Sequence, residues 1–381
     1  MLLIITFKRG THMKKTLALI IILASMLSLA ACGNEDYPPV ASTSEESEVV
    51  MTVTYEGEKY EVKYELYRAL FLNLRETVDG GDATVWTGEN KDEYINKIDA
   101  LIKARAAEIY AVLHIADKIG IDVYSKEYDD YVSEFVRATV EDDAFADSEI
   151  KVFEGDYDKY LAHLASLNLN YSVQDLLIRY SLATSEIYTY YAGNLGTEDF
   201  VENTQIGKIK YTKEDVLKFY ESDECVRILR LTPPEHYTDA RVSEIRAALV
   251  EAAKVGEGAV AGYMINHTTT AGPDVENGEL IAKHSHDREY YGALVDTAFS
   301  TAQGTVSEVI TIYADNREAA TIIYRAEKNS LHFEKCYDDV VSVYLQNEVG
   351  KIIDTDTLAI AEGLTATAKL KSLDRSAISM P

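Results

Sequence analysis

A long apolar stripe at helical spacing is the feature that most limits how this chain can fold. Within residues 91–119, apolar side chains recur every three or four positions, which predicts one long amphipathic helix. Gly120 follows the stripe and is expected to end the helix as its C′ residue. The stripe consists of Tyr94, Ile95, Ile98, Leu101, Ile102, Ile109, Val112, Leu113, Ala116 and Ile119.

The neighbouring segments predict a first half that is mostly helical. Residues 49–62 alternate apolar and polar side chains around Glu56-Gly57-Glu58, which is typical of a short hairpin. Residues 64–78 have apolar side chains at helical spacing. Ser172 and Asp175 have the spacing of a capping box for a later helix.

The second half mixes strands with helices. Strands are predicted at 224–232 and 320–325, and a turn that leads into a strand at 304–311. Helices are predicted at 238–255 and 331–349. Together the two halves predict an α+β chain with more than one folding unit, since its 381 residues exceed a typical domain.

The N-terminal segment has the pattern of an export signal. Lys14 and Lys15 precede an apolar run over residues 16–31, which is shorter than the roughly 20 residues of a membrane span. Leu29-Ala30-Ala31-Cys32 resembles the lipobox of bacterial lipoproteins, which implies a signal peptide over 1–31 and a lipid attached to Cys32. The alternative is an ordinary signal peptide that leaves Cys32 as a free thiol.

The residues after Cys32 favour the lipoprotein interpretation. Residues 32–48 are small, acidic or proline, without apolar periodicity, and are predicted to form a flexible tether. The expected location is the extracytoplasmic face of the bacterial cell membrane, with the lipid as the contact to that membrane.

The charge of the chain excludes nucleic acid as a partner. Its formal net charge is −27, and the signal peptide contains only basic charged residues, so the remaining chain is more acidic still. Such a surface repels phosphate groups.

No residue pattern predicts a cofactor or metal. His284-Ser285-His286-Asp287 has ligand residue types, but two histidines at i and i+2 do not share a helix face, so a solvated loop is the preferred interpretation. Cys225 and Cys336 could form a disulfide or remain free thiols. Hydrolase and nucleotide-binding motifs are lacking.

Five phrases of the sequence occur in the order of a known family. They are residues 114–127, 164–177 and 210–220, then Asn277-Gly278-Glu279-Leu280, and the segment from Ala298-Phe299 to Gly304-Thr305-Val306-Ser307. Together they resemble exported parvulin foldases of the PrsA and SurA group. The resemblance implies a helical chaperone domain over 49–204, a parvulin-like α/β domain inserted at 205–328, and a C-terminal helix at 329–381 that returns to the chaperone domain.

The catalytic histidines of that family are missing at the positions that the resemblance assigns to them. These positions, one in the first strand and one in the last strand of the inserted domain, correspond to Arg230 and Thr321. His332 lies beyond the last strand and does not restore the pair. Met264 and Phe299 are candidates for the apolar lining of a peptide groove, with core packing as the alternative role.

The resemblance implies a membrane-anchored chaperone that binds unfolded exported polypeptides, with isomerase activity doubtful. An active prolyl isomerase that uses other polar groups is the first alternative. The second alternative is a solute-binding lipoprotein of a transporter, which would need a repeated βαβ pattern. The helix-rich first half argues against that pattern.

Overall fold

The computed structural model describes residues 47–126, 128–130, 132, 167–193, 207–234, 236–267, 277–284, 288–314 and 317–378. The predicted signal peptide, Cys32 and nearly all of the predicted tether lie outside these ranges. The chain divides into two compact units. Unit 1 holds the described residues up to Ile187 and those from Ile353 on, and unit 2 is Tyr188–Ile352. Both units combine helices with antiparallel strands, which confirms the predicted α+β class.

The structural division does not coincide with the domain boundaries expected from the resemblance. Those boundaries lie after residues 204 and 328, whereas the units divide after Ile187 and Ile352. The assignment of a chaperone role to 49–204 and 329–381 stays a prediction. No helix in the part of the chain that the structure describes is long and apolar enough to cross a membrane.

Ten α-helices have bounds within the described ranges. They are α1 (Tyr64–Asp79), α2 (Lys91–Lys118), α3 (Tyr171–Ala192), α4 (Lys213–Glu221), α5 (Asp239–Ala253), α6 (Glu257–Ile265), α7 (Arg288–Ser300), α8 (Ser330–Lys335), α9 (Tyr337–Gly363) and α10 (Ala368–Ser372). Two short 3₁₀ helices span Ala83–Trp86 and Arg375–Ala377.

Unit 1 contains a small antiparallel sheet. Strands β1 (Val49–Tyr55), β2 (Glu58–Lys63) and β7 (Thr365–Ala366) have the order β2-β1-β7. The predicted hairpin is confirmed, because Tyr55 pairs with Glu58 across a two-residue turn. The turn residues Glu56 and Gly57 have φ angles of 47° and 91°, as a tight hairpin with two left-handed residues requires.

Helix α2 confirms the prediction from the apolar stripe. Its bounds agree with that stripe to within one residue, and Gly120 follows its end with φ of 83°. The amide of Ile121 donates to the carbonyl of Ala116, as in a Schellman ending. Leu101 is the exception in the stripe, since its side chain is 38% exposed.

The predicted capping box at the start of α3 is wrong. The helix begins at Tyr171, and the side chain of Asn170 accepts a hydrogen bond from the amide of Val173 at 2.9 Å. Ser172 lies inside the first turn, and its hydroxyl donates to the buried carboxylate of Glu65 at 2.9 Å. The spacing alone assigned Ser172 to a cap, but its hydroxyl instead bonds to Glu65, a polar partner on α1.

Unit 2 is built on a four-stranded antiparallel sheet. Strands β3 (Cys225–Leu231), β4 (Glu279–Ala282), β5 (Ile310–Ala314) and β6 (Arg317–Ala326) have the order β4-β3-β6-β5. The strands predicted near 224–232 and 320–325 are confirmed. Strand β4 is not among the strands predicted from the sequence, because four residues are too few to show an alternating pattern.

Helices cover both faces of this sheet. On face A, the side chains of Leu229 and Leu231 pack with α5 and α6. On face B, Val226 and Ile228 pack with α7. Because successive residues of a strand point to opposite faces, even-numbered positions of β3 belong to face B.

The C-terminal helical pattern is longer than predicted and interrupted. The predicted helix over 331–349 is divided at Cys336 between α8 and α9, and α9 continues to Gly363. Asn329 caps α8 by accepting a hydrogen bond from the amide of His332 at 2.9 Å.

Candidate functional site

The two positions assigned to catalytic histidines lie together on face B of the unit 2 sheet. Arg230 of β3 pairs with Ile323 of β6, and Thr321 lies two residues before Ile323 on the same strand. Alternate residues of a strand share a face, so Arg230 and Thr321 occupy neighbouring rows of face B. The structure thus brings the two positions together, occupied by a guanidinium and a hydroxyl.

Arg230 is held by an ion pair at this site. Its Nη2 lies 2.7 Å from Oε1 of Glu279, and the two side chains are 19% and 20% exposed. The buried Nε of Arg230 has no hydrogen-bond partner among the described residues. A guanidinium remains protonated in proteins, so Arg230 can donate hydrogen bonds but cannot transfer a proton.

Thr321 is fully buried. Its Oγ1 lies 3.3 Å from Oγ1 of Thr232, so one of the two hydroxyls donates to the other. Ile310 of β5 pairs with Thr321 and is half-buried. The hydroxyl of Thr321 is therefore part of the core of this face.

The two groove candidates lie on different faces of the sheet. Phe299, near the end of α7, packs half-buried against the cluster of face B. Met264 is 0% exposed and packs in the cluster of face A with Leu229 and Leu231. The two side chains therefore do not line one groove, and Met264 has the core role that was its alternative.

We define the face B site as the ion pair Arg230–Glu279 together with Thr321, Phe299 and Ile310. Sequence reasoning did not identify Glu279 or Ile310 as members. An indication for Glu279 was available, because it stands in the phrase Asn277-Gly278-Glu279-Leu280 at the position where the family has an aspartate. The site combines apolar surface with a charged donor, so it can contact a polypeptide without transferring protons.

His332 lies in a separate buried cluster of unit 2. Its Nδ1 is 3.0 Å from the hydroxyl of Tyr220, and the two rings stack with centroids 5.9 Å apart. Burial lowers the pKa of His332, and the positive charge of Arg227 on β3 lowers it further. Glu257 of α6 acts in the opposite direction, while Lys335 on α8 acts with Arg227.

Acid is expected to destabilise unit 2 through His332. Because its folded-state pKa lies below the ordinary value, the unfolded chain binds a proton that the folded chain resists. The histidine contributes no penalty at pH above the ordinary value of 6.5. Stability falls as the pH drops through that value and levels off below the folded-state pKa. The measurement is denaturant unfolding of unit 2 at a series of pH values.

The matched variant for this prediction is His332→Gln, which keeps polar atoms for Tyr220 but does not titrate. The stability difference between the wild type and the variant should shift against the wild type on acidification. A difference that stays constant across the pH range would contradict the assigned role.

Both remaining cysteines are buried free thiols. Burial raises the pKa of Cys225 to about 12 and also raises that of Cys336, so both thiols remain protonated. Of the His284–Asp287 segment, only His284 is described. No group of residues that could hold a metal ion occurs within the described ranges.

Two solved structures show a weak similarity to the chain. The crystal structure of PrsA from Bacillus subtilis is 14% identical, covers 87% of this chain and 98% of that protein, and has a TM-score of 0.21. The foldase protein PrsA from Streptococcus pneumoniae is 15% identical, with 81% and 92% covered and a TM-score of 0.20. No family model and no curated protein matches the chain.

Proposed function

We propose that this chain is a membrane-anchored extracytoplasmic chaperone of the parvulin foldase type, which holds unfolded exported polypeptides. A lipid on Cys32 is the anchor in this proposal, and residues 32–48 are the tether that separates the folded units from the membrane. Client binding by residues 49–204 together with 329–381, with the domain at 205–328 as a second contact surface, is part of the same proposal.

The proposal rests on Arg230 and Thr321, the residues at the two positions where the resemblance places catalytic histidines. Arg230 is ion-paired with Glu279, and the hydroxyl of Thr321 is buried. Each group is engaged by a partner within the protein, Arg230 by the carboxylate of Glu279 and Thr321 by the hydroxyl of Thr232. Phe299 and Ile310 leave partly exposed apolar surface on the same face of the sheet. These features favour the holding of a polypeptide over chemistry on it.

The physics of prolyl isomerisation defines what a donor such as Arg230 would have to do to catalyse it. The barrier of about 18–20 kcal/mol arises from the partial double bond between carbonyl carbon and nitrogen. A charged donor on the carbonyl oxygen stabilises the resonance form that contains this double bond. A contact from Arg230 to that oxygen would therefore oppose rotation, whereas a contact to the prolyl nitrogen would ease it, and the exchange measurement described below distinguishes the two.

The test is suppression of aggregation by the chain from residue 32 on, with Cys32→Ser to make it soluble without lipid. We expect it to reduce light scattering from a chemically unfolded model enzyme after dilution, without nucleotide. An unrelated protein of similar negative charge serves as the control. Scattering equal to that with the control protein would contradict the chaperone role.

The isomerase alternative is tested on the same protein by NMR exchange of a short X-Pro peptide. We expect no acceleration of cis/trans exchange. Accelerated exchange would make an active isomerase the better account, and an Arg230→Gln variant would then show whether the face B site is responsible.

The solute-binding alternative has little support in the described residues. A repeated βαβ pattern requires parallel strands, whereas all strand pairs within the described ranges are antiparallel.

A further inference from the structure

Strand β5 is an outer strand of the unit 2 sheet. In the order β4-β3-β6-β5 it has a partner on one side only. Its register with β6 pairs Ile310 with Thr321 and Ile312 with Ala319. The other edge of β5 has no partner strand among the described residues.

The hydrogen bonds of Ile323 show which residues of β5 direct their main-chain amide and carbonyl groups away from the sheet. The amide of Ile323 donates to Oγ of Ser307, and its carbonyl accepts from the amide of Ser307, so the main-chain groups of Ile323 face the β5 side of β6. Other odd-numbered residues of β6 share this direction, and they pair with Ile310, Ile312 and Ala314. The amides and carbonyls of Thr311 and Tyr313 therefore point away from the sheet.

The other outer strands are protected against the addition of a strand. Strand β2 carries Lys59, Glu61 and Lys63, and the hydroxyl of Tyr110 donates to the carbonyl of Glu61 at 2.7 Å. Strand β4 has four residues and carries the paired carboxylate of Glu279. Strand β7 has two residues. Charge, short length and covering contacts are the usual protections of an edge.

Strand β5 lacks these protections. Its sequence, Ile-Thr-Ile-Tyr-Ala, has no charged residue and no proline, although charged residues are 27% of the chain. Isoleucine, threonine and tyrosine favour extended structure. Next to the strand, Val309 is 37% exposed. An exposed strand edge of this composition is a template for another chain.

We propose that the free edge of β5 binds an extended segment of an unfolded polypeptide as an added strand. The proposal rests on the proposed chaperone function, and it names where and how a client binds. Thr311 and Tyr313 each present a main-chain amide donor and a carbonyl acceptor at the free edge. The two residues lie about 6.8 Å apart along the strand, and the alternate residues of another extended chain have the same spacing. The net charge of −27 opposes a second copy of this chain as the occupant.

The surroundings of β5 define the preferred client segment. The side chain of Ile312 is buried on face B with Leu294 and Ala298 of α7. Every second side chain of an added client strand would extend this apolar row on face B. The side chains between them would point to face A. Segments with alternating apolar residues and no acidic residues should therefore bind best.

The test uses the chain from residue 32 on with Cys32→Ser and, as probe, a capped heptapeptide of alternating valine and threonine. Hydrogen exchange with NMR detection should show slower exchange at the amides of Thr311 and Tyr313 when the peptide is bound. The amide of Ile312, which points towards β6, should change little. The same peptide with every amide N-methylated should not bind.

Two variants distinguish the contribution of the main-chain amide of Thr311 to peptide binding from the contribution of its side chain. Thr311→Pro removes an outward amide, which an edge strand tolerates, and should weaken peptide binding by about tenfold or more. Thr311→Val keeps the amide and should leave binding unchanged. Unchanged exchange protection in β3 and β6 checks that the Thr311→Pro protein is folded.

The outcomes distinguish this inference from the proposed function. No peptide binding, or protection at β2 and not at β5, overturns the inference. Suppressed aggregation in that case leaves the chaperone function standing. Protection at β5 without any suppression of aggregation supports the binding edge and contradicts the chaperone function.

Discussion

Replacing Gly350 with alanine is expected to lower the free energy of unfolding of unit 2 by about 3 kcal/mol. In most helices this change stabilises, because glycine is about 1 kcal/mol less favourable than alanine. Gly350 is different because a Cβ atom there would overlap with the carbonyl oxygen of His284. That contact is with main chain, which cannot rotate away.

The contact at Gly350 is fixed by polar bonds around it. The amide of His284 donates to Oδ1 of the fully buried Asn347 at 3.1 Å, and Nδ2 of Asn347 donates to Glu224 at 3.0 Å. Lys351 forms an ion pair with the same carboxylate at 2.6 Å. Helix α9 and the end of β4 therefore cannot separate without the loss of these bonds.

The measurement is hydrogen exchange of unit 2 segments in denaturant, while the single tryptophan, Trp86, reports on unit 1 by fluorescence. Gly262→Ala in α6 is the matched control, because nothing lies within 4 Å of its added Cβ. It should stabilise by up to about 1 kcal/mol. Equal effects of the two substitutions would show that the close approach at Gly350 is not a constraint.

Replacing Arg227 with methionine is expected to destabilise unit 2 by about 4 kcal/mol. The arginine is 4% exposed and donates from Nε to the carbonyl of Asn277 at 2.6 Å and from Nη1 to that of Glu327 at 2.9 Å. Its Nη2 lies 2.7 Å from the carboxylate of Glu257. Methionine fills a similar volume but leaves these acceptors without a donor.

Arg241→Met is the control for this substitution. Arg241 forms an ion pair with Glu244 at 2.8 Å, but the two side chains are 47% and 66% exposed. Its loss should leave stability nearly unchanged, because a solvent-exposed ion pair is screened by water and salt. Denaturant unfolding with the same two probes compares the variants. An Arg227→Met protein as stable as the Arg241→Met protein would contradict the structural role of the cluster.

Elements with a strong local period were predictable from the sequence. Helix α2 agrees with its apolar stripe and ends at Gly120, and the hairpin at Glu56-Gly57 is present. Strand β4 and the interruption at Cys336 were not predicted. Strand β4 depends on a partner distant in the sequence, since it is a strand only because it pairs with β3.

The candidate site was predictable only in part. The positions of Arg230 and Thr321 were named from the sequence, and the structure places them in neighbouring rows of one face. Glu279 was not named as a partner of Arg230, because the pair joins residues on two strands. Met264 and Phe299 have similar apolar character, so the sequence could not show that they lie on different faces of the sheet.

The sequence by itself determined where the chain is periodic, which residues occupy the expected histidine positions, and that the chain is strongly acidic. These properties depend on residue identity and on spacings of two to four residues. The tertiary structure alone decided which strand has a free edge and which residues meet on face B. Strand order brings together residues that are far apart in the chain, and no local spacing specifies that order.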